Sequence, residues 1–293
     1  ISIDPPGCKD IDDAFSYDEY QNGSSTKCKL RIYIANVSLW LDYLDLWSSF
    51  STRVATIYLP NKKRPMMPTL LSDVLCSLQE KQERLAFVLE LIFDKDTMEV
   101  EEHRFYNAIV KVERNHAYET DEMKSENMYV KLFHFIKKIN KKKKIYNNDN
   151  VEDSHDVIAY LMILMNYYTA LDFIKHENGI FRMMKINEDM NTEIPPDELP
   201  HDVQRFMILW RSSCGAYIPF CDNLKHEFLK LEAYSHITSP IRRLVDLLNM
   251  LQIQHNHNML DRSENNIHFL TKWTTPSSYE YINTSMRSIR KIQ

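Results

Sequence analysis

The chain has 293 residues and carries 41 Asp and Glu against 36 Lys and Arg, a formal net charge of −5. That length suits one large domain or two small ones with ample core, and neither a membrane-spanning run nor a secretory signal is read from it. An acidic balance is unusual for a nucleic-acid-binding domain, most of which are basic, and five cysteines (Cys8, Cys28, Cys76, Cys214, Cys221) without a CxxC pair predict reduced thiols and an intracellular setting, the cytoplasm first.

The first element is a short apolar strand, with Ile1 and Ile3 leading into Asp4. Pro5-Pro6-Gly7 then forces a tight, non-helical path toward Asp10. Asp12 and Asp13 follow between apolar Ile11 and Ala14. Four carboxylates so close together repel one another, and a hard cation relieves that repulsion: Mg²⁺, with Mn²⁺ as a substitute. Magnesium leaves part of its shell to water and phosphate, so the pattern points to metal-assisted chemistry at a phosphate. The plain alternative is a solvated loop or a helix cap. An EF-hand is excluded, because the alternating ligands, the sixth-position Gly and the closing Glu are missing.

Residues 27–35 alternate polar and apolar as a half-buried strand, and 85–93 and 99–112 read as two more. Residues 69–79 suit a short helix between them. From Glu119 the pattern turns helical, with a long apolar-rich helix over 154–175 capped by Ser154. The block 137–144 holds six lysines and is read as a solvated loop between helices, with a phosphate-contacting patch as the alternative. Residues 146–153 read as a polar linker, Pro195 and Pro196 break the next connection, and 202–210 and 241–254 are further helices. Ser239-Pro240 predicts Pro at the first helical position, which puts Arg242 in an opening turn whose amides favour anions. Its guanidinium is then a candidate phosphate clamp, with a surface ion pair as the plain alternative. The late histidines lack metal spacing and are read as surface. Strands first and helices later predict an α+β fold.

Several segments together resemble the ribonuclease II / ribonuclease R family, whose catalytic module is the RNB domain. They are the run from Asp4 to Ala14, the stretch Tyr234-Ser235-His236-Ile237-Thr238-Ser239-Pro240-Ile241-Arg242-Arg243-Leu244-Val245-Asp246, and the ordered series from Arg53 through Tyr58-Leu59-Pro60 and Pro65-Met66-Met67-Pro68 to Arg84-Leu85-Ala86. Gly179-Ile180-Phe181-Arg182 adds a shorter match. The resemblance covers about residues 4–246 and implies one RNB-type catalytic domain over 1–293, a mixed sheet packed by helices, with 247–293 a helical extension. The cold-shock and S1 domains that usually flank this module are not seen, and a fragment of a longer chain is expected.

The resemblance further implies a Mg²⁺-dependent hydrolase, a 3′→5′ exoribonuclease that degrades single-stranded RNA to nucleoside 5′-monophosphates. Asp4, Asp10, Asp12 and Asp13 match its metal positions, with Asp12 the one most closely tied to catalysis. Arg242 matches the arginine on the scissile phosphate, Tyr58 an aromatic that stacks on a base, and Tyr118 a tyrosine that helps select RNA. Implied partners are single-stranded RNA and either flanking OB-type domains or a larger RNA-processing complex, with no membrane. Four places depart from the family pattern: Ala159 and Tyr160 stand where a Glu-Glu pair is usual, Asn36 and Leu39 replace Asp and His, Met250-Leu251 replaces His-Arg, and the stretch before the long helix is shortened, which leaves no position for the partner of the Tyr58 stacking clamp. The alternative reading is therefore an inactive RNB-like subunit that binds RNA or scaffolds an assembly; a metal-dependent nuclease acting on DNA is the third.

Overall fold

The structure, a computed structural model, describes residues 1–23, 25–142, 151–184 and 215–292. The helix expected over 202–210, the Pro195-Pro196 break, Cys214, the linker start at 146–150 and the lysines at 143 and 144 lie outside the described residues.

A four-stranded antiparallel sheet is the frame. Its strands are β2 (Asp13–Asn22), β3 (Ser25–Ala35), β6 (Glu83–Asp94) and β7 (Val100–Lys111), in that spatial order. The pattern at 27–35, 85–93 and 99–112 finds three of these within two residues; β2 was not anticipated. Among the described strands, β1 (Ser2–Asp4) pairs in parallel with β8 (Asn115–Ala117), with Ile3 opposite His116. Two further antiparallel pairs stand apart from the frame: β4 (Ile57–Leu59) with β5 (Lys62–Arg64), and β9 (Ile180–Met183) with β10 (Ala216–Pro219).

β6 has a nearly continuous buried run because both faces of the sheet are covered. Phe87, Leu89, Leu91 and Phe93 face one core, and Ala86 and Val88 face a second. The first core is closed by α2 (Asp121–Ser125) through Met123, by α3 (Asn127–Lys142) through Leu132, Phe135 and Ile136, and by α4 (Ser154–Lys175) through Leu161, Leu164 and Phe173. The second is closed by α1 (Val37–Tyr43), α5 (Leu244–Asn256), α6 (Glu264–Trp273) and α7 (Pro276–Ile292). Glu90 breaks the apolar series on the second face; Arg31 and Arg104 neutralise it there.

Five local details correct or refine the reading of the sequence. Residues 70–76 form a π-helical stretch, and α4 is capped by Asp153, which accepts from Asp156 N at 3.0 Å, while the Ser154 hydroxyl donates to Glu119 at 2.5 Å. By length and composition α4 could cross a bilayer, but 67% of its apolar window is buried inside the protein, where it serves as a core helix. The lysines at 137–142 lie on helix α3 rather than in a loop. His255 is buried on the inward side of α5, and His257 Nε2 lies 2.8 Å from Asp172 Oδ1, so the late histidines are not all surface residues.

Candidate active site

The four aspartates reach one place by three different routes. Asp4 ends β1, which is held against β8. The chain then turns tightly: Cys8 N donates to Pro5 O at 3.1 Å, and Gly7 takes a positive φ of 78°, which glycine adopts without steric cost. Asp10 and Asp12 lie on a segment pinned from both sides. Ile11 N donates to Ser77 Oγ at 3.0 Å, Leu78 N to Ile11 O at 3.0 Å, and Ala35 N to Asp12 O at 2.8 Å. The apolar side chain of Ile11 is buried in the second core and anchors this loop. Asp13 opens β2.

Arg242 arrives from the other end of the chain. Pro240 and Arg242 sit in a turn ahead of α5, and the helix begins at Leu244 with Arg243 as its N-cap. Helix amides therefore do not surround Arg242 as the Ser-Pro signal predicts. Instead Asp246, in the first turn, reaches back: Ser239 N donates to its Oδ1 at 2.8 Å, and Arg243 Nη2 lies 2.8 Å from the same atom. The turn is also tied to 54–56, with Thr56 N donating to Arg242 O at 2.9 Å and Leu244 N to Val54 O at 2.9 Å. Asp12 locks the two halves together. Its Oδ1 accepts from Ile241 N at 2.9 Å and its Oδ2 from Arg242 Nε at 2.9 Å.

Asp4, Asp10, Asp12, Asp13, Tyr58, Tyr118 and Arg242 all line one cavity of about 790 Å³. All seven residues singled out in the sequence thus come together. Tyr58, on β4, donates its hydroxyl to Asp10 Oδ2 at 2.9 Å. Tyr118 stacks on His155 with ring centroids 3.8 Å apart. Lys63 and Asp73 join the lining without having been anticipated, and Lys63 Nζ lies 3.0 Å from Asp10 Oδ1. Their signal was weak: a lysine in a basic hairpin and an aspartate in an apolar stretch.

The departures from the family pattern fall mainly on packing positions. Ala159 and Tyr160 do not line the cavity; their neighbours on α4, Ile158 and Met162, do, and Tyr160 is buried in the first core. Asn36 is buried, its Nδ2 donating to Asn107 Oδ1 at 2.8 Å while its Oδ1 accepts from Gln254 Nε2 at 2.9 Å. Met250 and Leu251 are core residues.

Burial first, then mutual repulsion, makes charge costly here. The Asp4 carboxyl is pushed up to about 6 and Asp12 to about 7 by desolvation, with Arg242 pulling both the other way. Asp13 is raised well above the carboxylate range by burial and by Asp4 and Asp12. Burial, Asp4 and Asp10 raise the Cys8 thiol to about 12, so it is not a thiolate nucleophile. Arg242 stays charged: desolvation opposes it, but Asp12, Tyr58 and Asp13 outweigh that cost.

This donor set has the chemistry a hard divalent ion requires, oxygen ligands whose repulsion it would relieve. In the geometry described, the carboxylates are partly spoken for. Lys63 and Tyr58 take the oxygens of Asp10, Ile241 and Arg242 take those of Asp12, and Ser2 Oγ donates to Asp4 Oδ2 at 2.8 Å. Among the described residues no three carboxylate, imidazole or thiol groups are gathered closely enough to chelate one ion. Asp4 and Asp13 remain the least engaged pair.

Residues 1–128 match the RNB domain family. The chain is 25% identical over 317 residues to the exosome complex exonuclease RRP44 of Mus musculus, covering 84% of this chain and 32% of the relative. It is 27% identical over 312 residues to ribonuclease R of Helicobacter pylori, covering 84% and 46%. The chain thus spans only 32% and 46% of the length of these relatives. Among solved structures, Mycoplasma genitalium RNase R in complex with ribose-methylated single-stranded RNA superposes with a TM-score of 0.72 at 19% identity, over 99% of this chain and 55% of that one. Yeast Ssd1, described as a pseudonuclease, superposes with a TM-score of 0.75 at 14% identity, over 100% and 42%. These likenesses show the RNB fold and its α+β architecture.

Proposed function

We propose, for a chain that carries an RNB-domain match over residues 1–128 and the fold of ribonuclease R, that it is a Mg²⁺-dependent 3′→5′ exoribonuclease. It would act in RNA degradation inside the cell, hydrolysing single-stranded RNA to nucleoside 5′-monophosphates. The carrying observation is that Asp4, Asp10, Asp12, Asp13 and Arg242 line one cavity, with Arg242 Nε on Asp12.

Asp4, Asp10, Asp12 and Asp13 would hold the cation. When bound, it supplies Lewis-acid activation of a water and of the leaving 3′ oxygen. Arg242 commits Nε to Asp12, and its side chain remains 47% exposed, which leaves the two Nη groups for the non-bridging phosphate oxygens. Asp12 fixes the direction in which that fork points. Tyr58, 40% exposed at the cavity edge, offers a ring face to a terminal base, a contact that tolerates any sequence. Tyr118 places its phenol near Asp4 and Asp13, where it would meet the sugar of the terminal nucleotide. Water adds to phosphorus, the P–O3′ bond breaks, and the 3′ oxygen leaves with a proton.

RRP44 is named as part of an exosome complex, which supports a larger RNA-processing assembly as partner here; flanking OB-type domains are the other partner proposed. A second reading, an RNA-binding scaffold without activity, is favoured by one observation: protein groups already occupy both oxygens of Asp10. A 5′-labelled single-stranded RNA incubated with Mg²⁺ decides between them. Progressive shortening from the 3′ end that Asp12→Asn stops supports the nuclease. Binding without shortening, also in the presence of OB-type domains, supports the scaffold, and equal shortening of a 2′-deoxy strand would move the substrate to DNA.

A further inference from the structure

Lys9 and Lys63 both line the aspartate cavity, and Lys63 is the one that ion-pairs with carboxylates of its wall. Its Nζ lies 3.0 Å from Asp10 Oδ1 and 3.2 Å from Asp73 Oδ1. Tyr58 and Lys63 are partners across the β4–β5 hairpin, so a single two-stranded element delivers a hydroxyl to one Asp10 oxygen and an ammonium to the other. Lys62 and Arg64, on either side, are exposed, so the inward position of Lys63 follows from its register. Asp73 comes from the π-helical stretch and lines the same cavity wall. An ammonium at hydrogen-bond distance from a carboxylate occupies the place a hard cation would take on that oxygen. Two like charges cannot share it cheaply, because their repulsion at about 4 Å is worth several kcal/mol at a partly buried site.

We propose that Lys63 is a built-in competitor for the cation position on Asp10. A divalent ion loading that carboxylate displaces the ammonium, and Asp73 receives it. Lys63 thereby sets the metal concentration at which the site fills. The proposal rests on the nuclease reading for the identity of the ion, and it concerns affinity rather than turnover.

The test is Mn²⁺ binding to the full chain, followed by the loss of the free-ion electron paramagnetic resonance signal. Lys63→Met should tighten binding about tenfold, a discounted share of that repulsion. Asp73→Asn should weaken it severalfold, since the displaced ammonium loses its second partner. The double variant should bind like Lys63→Met alone, and Lys62→Met like the unchanged protein. Lys63→Gln, polar and close in length, replaces Met if circular dichroism shows the hairpin disturbed. Unchanged or weaker binding in both Lys63 variants overturns the proposal. So does a double variant weakened as much as Asp73→Asn, because Asp73 would then be a ligand itself. Absence of Mn²⁺ binding in every folded variant overturns the nuclease reading as well, whereas equal binding in all of them overturns the role of Lys63 alone.

Discussion

Arg242 donates its Nε to Asp12 Oδ2 at 2.9 Å across 230 residues of sequence. That contact makes the cavity a joint product of both ends of the chain. It also ties charge to geometry, because Asp12 fixes Arg242 only while it presents two acceptor oxygens, one to the guanidinium and one to Ile241 N.

Asp12→Asn replaces one of those acceptors with a donor that faces a donor. RNA shortening should fall by about 10²–10³-fold or more, the scale seen when one preorganised electrostatic group is removed. Arg242→Lys should lose most of that activity too, since a point charge does not reproduce the two-pronged fork. Initial rates on a labelled strand, with circular dichroism to show retained fold, measure both. Full activity in either variant would remove that residue from the chemistry.

Asp4 and Asp12, held up at about 6 and about 7 by burial, bind protons in the folded chain that the unfolded chain has already released. Unfolded carboxylates ionise near pH ~4. Between there and pH 7 the native state carries the extra protons, so their contribution to stability is full below that range and is lost as pH rises through it. Divalent-ion binding needs the ionised form and releases those protons. The thermal-unfolding shift caused by Mg²⁺ should therefore grow as pH rises through 6–7. A shift independent of pH would separate the ion from these carboxylates.

Asp246 is completely buried and accepts from both Ser239 N and Arg243. Asp246→Ala strands Arg243, whose Nε already lacks a partner among the described residues, and frees the turn that carries Arg242. Breaking a buried pair from one side costs about 3–5 kcal/mol. A urea midpoint shift of that size, with activity falling beyond the loss of folded protein, is the expected result.

Much of this arrangement is legible in the sequence where a residue type has few other uses. Four aspartates around Pro5-Pro6-Gly7 are costly to gather unless a site uses them, and alternation over 27–35 reads as a strand with unlike faces. β2 is hard to read because the period of Phe15 and Tyr17 breaks at the adjacent charges Asp18 and Glu19 and the strand runs on polar to Asn22. Lys63 is not legible because which side of a hairpin faces a cavity is set by tertiary register, and a three-residue strand has too little period to show it; Asp73 is not legible because it stands in a short apolar stretch whose π-helical path turns it to the cavity. The Ser-Pro helix start misled for a related reason. Asp246 pulls Ser239 N back toward the helix, and the turn is used to aim Arg242 rather than to begin α5.

Tyr58→Ala should weaken the hold on the RNA 3′ end by about 1–3 kcal/mol, the usual worth of one base–aromatic stack. Tyr58→Phe keeps the ring, loses only the hydrogen bond to Asp10, and should retain that hold. The comparison of KM across the two variants separates stacking from the contact with Asp10.

Tyr160 tests whether the α4 departure from the family pattern touches substrate. Its ring is fully buried, and its hydroxyl has no hydrogen-bond partner among the described residues. Burying an unpaired hydroxyl costs about 1–3 kcal/mol in proteins. Tyr160→Phe removes that cost while leaving the ring volume in place, so unfolding should shift toward higher urea by about 1 kcal/mol. RNA affinity and shortening rate should not change, because the cavity wall on this side is made by Ile158 and Met162. A variant that is stabilised but binds RNA less well would mean that the Tyr160 hydroxyl reaches the strand, and that α4 turns a different face to the substrate.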